Sequence, residues 1–364
     1  MTKTASHKLK LLLSLFLFML LMTSACIQEE KTGEEEKSTG EEAAGVEKPP
    51  QEQEKKVPTP PPKPEVKLSF NVLWSLNPGD KVYGVALGAN GTRAAVGSFN
   101  KFLYLLDSNG KELWRFKTRG SIQDVAMSGD GKYVAAVSYV YDESTVYLLT
   151  GDGEKVWSVS IPGLARGVDV DKKGRVAVAS YSERVYMIDK EIRWEHVLPE
   201  SAYGAWDVVF AGDTVLAVDD NAFLYTLSTE GKLIKKLKVA KKDYPYGVAA
   251  GPGGYTAVVT QKGGVYLYKD GKLRWSRKMG APGERLVAGY GVAISESGEL
   301  VAAGSWDRNL YVYSIDGKLL LKHGVGDHVN RVAFSGDRLI FGSTNGLAYL
   351  AEVEVEVEAK AKKK

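Results

Sequence analysis

Seven side chains recur at one position of a repeating pattern and are the strongest candidates for chemistry in this chain. Each stands two residues before a Val that returns at steps of 40, 43, 40, 40, 44 and 40 residues, from Val85 to Val332. Most are Tyr, Trp or Arg, the residue types that dominate binding hot spots. Two interpretations stand side by side: these residues bind a partner, or their aromatic rings only pack neighbouring repeats together. The seven are Tyr83, Gln123, Arg166, Trp206, Tyr246, Tyr290 and Asn330.

Other residues give little indication of catalysis or metal binding. His323, Asp327 and His328 could hold a metal, but a solvated Gly-rich loop explains them more simply. The segment Asp169–Gly174 faintly suggests a calcium loop, yet it aligns with a plain turn of the repeat, and Asp219–Asp220 reads as polar loop. Neither a nucleophile elbow nor a phosphate-binding loop is present in the sequence. We therefore predict no catalytic residue, no metal and no cofactor.

The repeat predicts short antiparallel strands. In the sixth copy, four apolar runs separated by turns cover 291–294, 300–304, 310–313 and 319–321. None is long enough for a helix of period 3.6. A period of about 40–45 residues with several short strands is typical of β-propeller blades. The prediction is an all-β, seven-bladed β-propeller with four antiparallel strands per blade.

Blade geometry places the seven candidate residues in the innermost strands, where they ring one mouth of the central channel. Loops between the second and third strands should line the same face, because propellers present binding loops on a rigid frame. These loops are Tyr139–Glu143, Tyr181–Arg184, Asp219–Asn221, Gln261–Gly263 and Ser305–Asn309.

The last copy lacks its fourth strand, and the segment Val72–Ser75 ahead of the first copy resembles the missing piece. We predict that this N-terminal strand completes the last blade, since closure removes free sheet edges. Fourth strands of other copies carry a Trp, with Ile234 and Leu320 assigned to that place in copies four and six. The Trp residues are Trp114, Trp157, Trp194 and Trp275.

Residues 1–25 read as a signal peptide, with an early positive charge, an apolar core and small residues before Cys26. This pattern resembles the lipobox of lipoproteins and implies that Cys26 is lipidated; the alternative is an ordinary signal peptide and a secreted protein. Residues 26–67 are Glu-rich and then Pro-rich, which predicts a disordered tether. The propeller is assigned to 68–358, and 359–364 is a basic, solvated tail.

Two kinds of segment resemble known propeller families. GSWDRNLYVYSIDGK (304–318) is similar to WD repeats, with Asp307 at the place of their structural Asp, although the Gly-His pair that partners it is missing. DSNGKELW (107–114) and DGKLRW (270–275) resemble quinoprotein (PQQ)-type repeats, which also occur in a lipoprotein of the barrel-assembly machinery that has no cofactor. True quinoproteins use a vicinal disulfide and calcium in an eight-bladed ring. Seven copies without a domain cysteine imply no quinone.

These features predict a membrane-anchored propeller in the cell envelope, on the outer face of the membrane, that binds an unknown protein or extracellular ligand without catalysis. The formal net charge of +3 argues against a nucleic-acid partner, and we expect a monomer. Two alternatives remain open: a secreted enzyme with its site in the central channel, and an envelope protein assembly factor.

Overall fold

The computed structural model describes residues 65–88, 90–199, 201, 204–240, 243–281 and 287–358. The predicted signal peptide, Cys26, the tether as far as residue 64, and the basic tail lie outside these residues. Strands dominate the described part, which has one short 3-10 helix, Pro252–Gly254. No helix in these ranges has the length and apolar character needed to cross a bilayer.

The predicted seven-bladed β-propeller is confirmed. Seven antiparallel sheets have four strands each, and their first strands contact one another in a closed ring. Blades 1 to 6 are β2–β5, β6–β9, β10–β13, β14–β17, β18–β21 and β22–β25; blade 7 is β26–β28 with β1. The strands are β1 (Glu65–Leu76), β2 (Val82–Gly88), β3 (Arg93–Ser98), β4 (Phe102–Asp107), β5 (Glu112–Lys117), β6 (Ser121–Met127), β7 (Tyr133–Val140), β8 (Glu143–Thr150), β9 (Lys155–Pro162), β10 (Ala165–Val170), β11 (Val176–Ser180), β12 (Arg184–Asp189), β13 (Glu191–Val197), β14 (Ala205–Ala211), β15 (Thr214–Asp219), β16 (Phe223–Ser228), β17 (Leu233–Lys238), β18 (Pro245–Ala250), β19 (Tyr255–Thr260), β20 (Gly264–Lys269), β21 (Lys272–Lys278), β22 (Gly289–Ile294), β23 (Leu300–Ser305), β24 (Asn309–Ser314), β25 (Leu319–Gly324), β26 (Val329–Ser335), β27 (Arg338–Ser343) and β28 (Ala348–Glu358).

The core lies between the faces of adjacent blades. Second strands such as β11 (VAVAS) are buried at every position, because blades cover both of their faces and leave room only for small and β-branched side chains. Outer strands such as β5 alternate between exposed and half-buried residues, since one edge faces solvent. Each blade therefore buries its apolar surface only when both neighbours are present.

The ring closes through β1, as predicted. Trp74 pairs with Leu350 on β28, and β28 continues the sheet through β27 and β26. β1 begins at Glu65, three residues before the predicted start at Leu68, because residues 65–67 pair with 356–358. Residues 65–71 and 352–358 form a two-stranded segment that continues past the last pairing of β27; we call it the terminal ribbon.

A bulge in every outermost strand corrects one part of the sequence alignment. In blade 1, Leu105 pairs with Trp114 and Leu106 with Glu112, so Leu113 is skipped. The same shift in blades 4 and 6 skips Ile234 and Leu320, the residues assigned to the Trp place, and that assignment was wrong. The residues that hold the Trp place are Lys235, which pairs with Thr226, and Leu321, which pairs with Val312.

Candidate binding face at the channel mouth

All seven candidate residues lie in β-bulges of the innermost strands. In β2, Val82 pairs with Ser98 and Gly84 with Gly97, which leaves Tyr83 without a partner in the ladder. The same shift occurs in the other six first strands. A bulge bends its strand and re-aims the extra side chain, and such bulges are common beside binding sites. The repeated bulge is therefore what brings seven distant residues to one place.

These seven side chains meet around one small cavity at the channel mouth. The cavity has a volume of about 30 Å³ and is lined by all seven residues together with Arg331. That is about the volume of one water molecule in the liquid. The side chains thus fill the mouth rather than leave an open pore between them.

Aromatic rings continue from one blade to the next across this mouth. Ring centroids of Trp206 and Tyr246 lie 4.1 Å apart, and those of Tyr246 and Tyr290 lie 4.9 Å apart. Tyr290 stacks on Trp306 at 4.7 Å, and Trp306 stacks on His328 at 4.9 Å. We call these five residues the aromatic arc. Trp206 and Tyr246 are only 5% and 6% exposed, so their rings pack blades together, whereas Tyr290, Trp306 and His328 are half-buried and present part of their rings at the surface.

Arg166 extends the aromatic arc at its blade 3 end. Its guanidinium carbon lies 5.0 Å from the ring centroid of Trp206 and 5.1 Å from that of Tyr181, a cation–π arrangement. Tyr181 and Trp306 belong to the predicted loops between second and third strands, and both loops reach the mouth. The predicted face is therefore assembled from bulges and loops together.

Three buried N–H groups of this face have no hydrogen-bond acceptor among the described residues. They are Nε of Arg166, Nε1 of Trp206 and Nε1 of Trp306. A buried donor without an acceptor costs about 1–3 kcal/mol, so such groups favour an acceptor supplied from outside. Burial raises the pKa of Tyr290 to about 12 and raises the pKa of Tyr246 further. Both phenols therefore stay neutral at physiological pH and cannot serve as bases.

A buried charge cluster, which the sequence analysis missed, lies directly beside the mouth. The Arg331 guanidinium donates to Asp124 at 2.8 Å, to Asp207 at 2.9 Å and to the Arg166 carbonyl at 3.1 Å. It therefore joins blades 7, 2, 4 and 3 across the channel. Burial alone would lower the pKa of Arg331, but Asp124 and Asp207 raise it well above its ordinary value.

The position of this cluster in the repeat explains why it was overlooked. Its members stand one residue before the recurring Val, where four of the seven copies have Gly. Gly is needed there because neighbouring first strands almost touch: a Cβ on Gly84 would lie 2.5 Å from the Val125 nitrogen. The sequence did contain a signal for this cluster: two Asp residues and one Arg stand at a position that is Gly in the other four copies.

One loop of the same face projects beyond the rest. β7 and β8 are eight residues each, and Val140 pairs with Glu143, so the turn Tyr141–Asp142 stands at the tip of a long hairpin. The Tyr141 side chain is 88% exposed. This exposed aromatic side chain, on the same face as the bulged first strands, is available to contact a partner.

The weaker sequence candidates have structural roles. His323 packs at 4.8 Å against Phe70, whereas His328 belongs to the aromatic arc, so the two do not form a metal pair. Asp171 accepts N–H bonds within its own turn, and Asp219 accepts the Tyr225 hydroxyl at 2.8 Å. Among the described residues, three potential metal ligands come together only in the acidic group Asp337, Glu352 and Glu354.

Comparisons with known proteins agree with this architecture. Residues 142–239 match the family described as outer membrane protein assembly factor BamB, and residues 287–314 match the WD domain, G-beta repeat. Each match covers less than half of the chain. The search of curated proteins found no match. The matches support a WD-repeat-like propeller.

One similar solved structure is the β-propeller domain of Cps50 (Swd1) from Myceliophteria thermophila. It is 16% identical, the alignment covers 79% of this chain and 100% of that chain, and the TM-score is 0.68. At this identity the likeness supports the fold alone.

Proposed function

We propose that this protein is a non-catalytic scaffold that binds another protein at the channel mouth, with Arg166, the aromatic arc and Tyr141 as the contact surface. The observation that carries the proposal is the set of three buried N–H groups of Arg166, Trp206 and Trp306 without acceptors among the described residues, beside the half-buried rings of the aromatic arc. These donor atoms are covered in the free protein, so a carbonyl or carboxylate oxygen of a partner would reach them once side chains at the mouth move aside. Aromatic and Arg side chains at the centre of a contact surface supply most of its binding energy.

The size of the mouth favours surface recognition over an enzyme with its site in the channel. Sites for small molecules usually measure about 300–1,000 Å³. The cavity between the seven mouth residues measures about 30 Å³. Tyr246 and Tyr290 are neutral, and Arg331 is paired with Asp124 and Asp207, so none of these three mouth residues is a general base. A partner that docks on the rim does not need to enter the channel.

The proposal includes a lipid anchor at Cys26 and a location on the outer face of the membrane. Its support is the sequence: an apolar segment, small residues, a Cys and then a Glu- and Pro-rich tether. Cells fed an alkyne fatty acid should label the wild-type protein and not the Cys26→Ser variant. If both are labelled equally, or neither is, the anchor is wrong while the binding face can still be tested.

Photocrosslinking on intact cells tests the binding face. A benzoylphenylalanine at position 141 should crosslink to one defined protein, and the Arg166→Glu substitution should abolish that product. The matched control places the same group at position 113, where the Leu side chain is also exposed, at 47%, but lies on an outer strand. Equal products from positions 141 and 113, or an unchanged product in the Arg166→Glu variant, would move the contact surface elsewhere.

An envelope assembly factor is the second candidate. It is favoured by the match of residues 142–239 to the BamB family, a stretch that includes Arg166 and Trp206. Mass spectrometry of the same crosslinked product separates the candidates. A component of an outer-membrane barrel-assembly complex supports the assembly factor, and any other single protein supports the general scaffold.

A further inference from the structure

A large cavity opens between blades 4 and 5, from the ends of their first strands at Phe210 and Ala250 to Lys235 on the outermost strand of blade 4. Its volume is about 600 Å³, within the range of about 300–1,000 Å³ that is usual for ligand sites. Phe210, Leu216 and Leu237 on blade 4 and Tyr255 on blade 5 form apolar walls, and Lys235 lies at its edge. This cavity is separate from the channel mouth.

Other blade interfaces show what normally occupies this place. Four Trp side chains on outer strands cover a turn Gly of the next blade and donate an indole N–H to a carbonyl of that turn. The ring atoms lie about 2.7–2.9 Å from where a Cβ on each Gly would be. The pairs are Trp74 with Ser108 O at 3.1 Å, Trp114 with Gly151 O at 3.1 Å, Trp194 with Thr229 O at 2.8 Å and Trp275 with Ile315 O at 2.7 Å.

Between blades 4 and 5 the turn Gly is present and the Trp is missing. Lys235 holds the Trp place in the strand register, and its Nζ lies 2.3 Å from where a Cβ on Gly271 would be. An extended Lys chain covers much less area than an indole. Lys235, Asp270 and Gly271 line the cavity, so the place that a Trp side chain fills at four of the other interfaces forms part of it.

We propose that this cavity is a second binding site, which accepts a Trp side chain of a partner polypeptide. The indole would lie over Gly271 as the chain's own Trp residues lie over their turns. The Lys235 ammonium, which lies over Gly271 in the free protein, would move aside and contact the indole face, and the Asp270 carboxylate, which also lines the cavity, would accept the indole N–H. The chain's own N-terminal segment cannot supply this group, because residues 27–64 contain no aromatic residue.

Binding of a short peptide pair tests the site directly. The probe is acetyl-Gly-Gly-Trp-Gly-Gly-amide with a 5-fluoroindole, followed by fluorine NMR, against the same peptide with Leu in place of Trp, used as a competitor. The Trp peptide should bind with a Kd on the order of 1 mM, and the Leu peptide should bind at least about tenfold more weakly.

Two variants locate the binding. Lys235→Trp should fill the cavity, weaken binding at least about tenfold and raise the melting temperature. The matched control is Ile234→Trp, which adds an indole at the skipped, 58% exposed neighbour and should leave binding unchanged. If Lys235→Trp fails to give the wild-type circular dichroism spectrum, Leu237→Glu, which puts a charge into the apolar wall, replaces it and should weaken binding equally.

Three results would overturn the proposal. The Trp peptide fails to bind the wild-type protein at millimolar concentration, it binds Lys235→Trp as well as wild type, or the Leu peptide binds equally well. Sedimentation identifies a competing occupant. Self-association of the wild-type protein that Lys235→Trp removes would assign the cavity to a second copy of this chain and reject the separate partner.

Discussion

Two blade interfaces lack the outer-strand Trp, and the molecule treats them differently. Between blades 6 and 7, Leu321 holds the Trp place, and Leu68, Phe70 and Val355 of the terminal ribbon pack into the same apolar cluster. Between blades 4 and 5, Lys235 holds that place and a cavity of about 600 Å³ stays open.

This difference indicates that the inner part of a blade interface holds the ring closed, whereas the outer part can be packed or open. The inner half of the open interface is well packed, with Trp206, Val218, Tyr246 and Val248 in one buried cluster. Ring closure therefore rests on the inner halves, where first and second strands meet. The outer half holds Lys235 in place of a Trp, and the ring of first strands is closed all the same.

We call the outer interface between blades 4 and 5 the open gap and that between blades 6 and 7 the closed gap. The largest expected effect tests whether contacts among the first strands stabilise the ring independently of both gaps. Arg331→Leu leaves Asp124 and Asp207 buried without a counter-charge and should cost about 3–5 kcal/mol of unfolding free energy. Urea unfolding followed by circular dichroism measures it. A loss below about 1 kcal/mol would show that the buried charges do not hold the ring, and the division into inner and outer halves would fail.

Removing one apolar side chain of the terminal ribbon should show how much stability its packing gives to the interface between blades 6 and 7. Phe70→Ala removes a ring that contacts His323 and Phe341 and should cost about 2–3 kcal/mol. Lys235→Ala at the open gap should change stability by less than about 0.5 kcal/mol, because it leaves no new void in a packed region. Ser69→Ala, on the exposed side of the ribbon, is the matched control. Equal losses for Phe70→Ala and Lys235→Ala would remove the contrast.

Replacement of the residue at the Trp place by Trp should change stability in opposite directions at the two interfaces. Leu321→Trp adds volume where the ribbon already packs and should destabilise by about 1–2 kcal/mol. Lys235→Trp fills an open cavity and should stabilise by about 0.5–1 kcal/mol. Melting temperatures of both single variants decide the point, and a common sign would contradict the comparison.

The last prediction concerns pH and Asp169, which accepts the N–H of Phe210, a residue that lines the open gap. Burial raises the pKa of Asp169 to about 7, although it accepts N–H groups of Phe210 and Val170. The folded state then holds a proton that the unfolded state releases near about pH 4, so this contribution is present below about pH 4 and is lost as the pH rises to 7.

Calorimetry checks this pH dependence with Asp169→Asn. The stability of the wild type relative to the variant should fall between about pH 4 and 7 and stay constant above that range. At the closed gap the sign is reversed: burial lowers the pKa of His323, so its contribution is lost as the pH falls below the ordinary His range. The His323→Phe variant should remove that acid-side loss. A constant difference across pH for either variant would contradict the corresponding assignment.

Most of the fold was predictable because the same pattern of strands and turns occurs in seven copies. The spacing of the recurring Val indicated seven blades, and Trp74 ahead of the first copy indicated the closure. The place of the Trp in copies four and six was wrong by one residue because an outer-strand bulge shifts the pairing without changing the hydrophobic pattern. Bulges depend on hydrogen bonding between strands, and a list of residues does not show it.

The candidate site was predictable in position more than in chemistry. The rule of two residues before the Val located seven of the eight residues that line the cavity at the mouth, from Tyr83 to Asn330, and missed Arg331. The ion cluster of Arg331 escaped because its partners come from blades 2 and 4, and nothing local to Arg331 indicates Asp124 or Asp207. Whether the mouth binds a partner stays a prediction.

Closure by β1 also fixes how mechanical load enters this molecule. Glu65 is the register partner of Glu358, and eleven residue pairs connect β1 to β28. Tension on the chain preceding Glu65, directed along β1, acts on all of these pairs at once, in shear. Tension that separates Glu65 from Glu358 opens the pairs one after another and begins with those two residues.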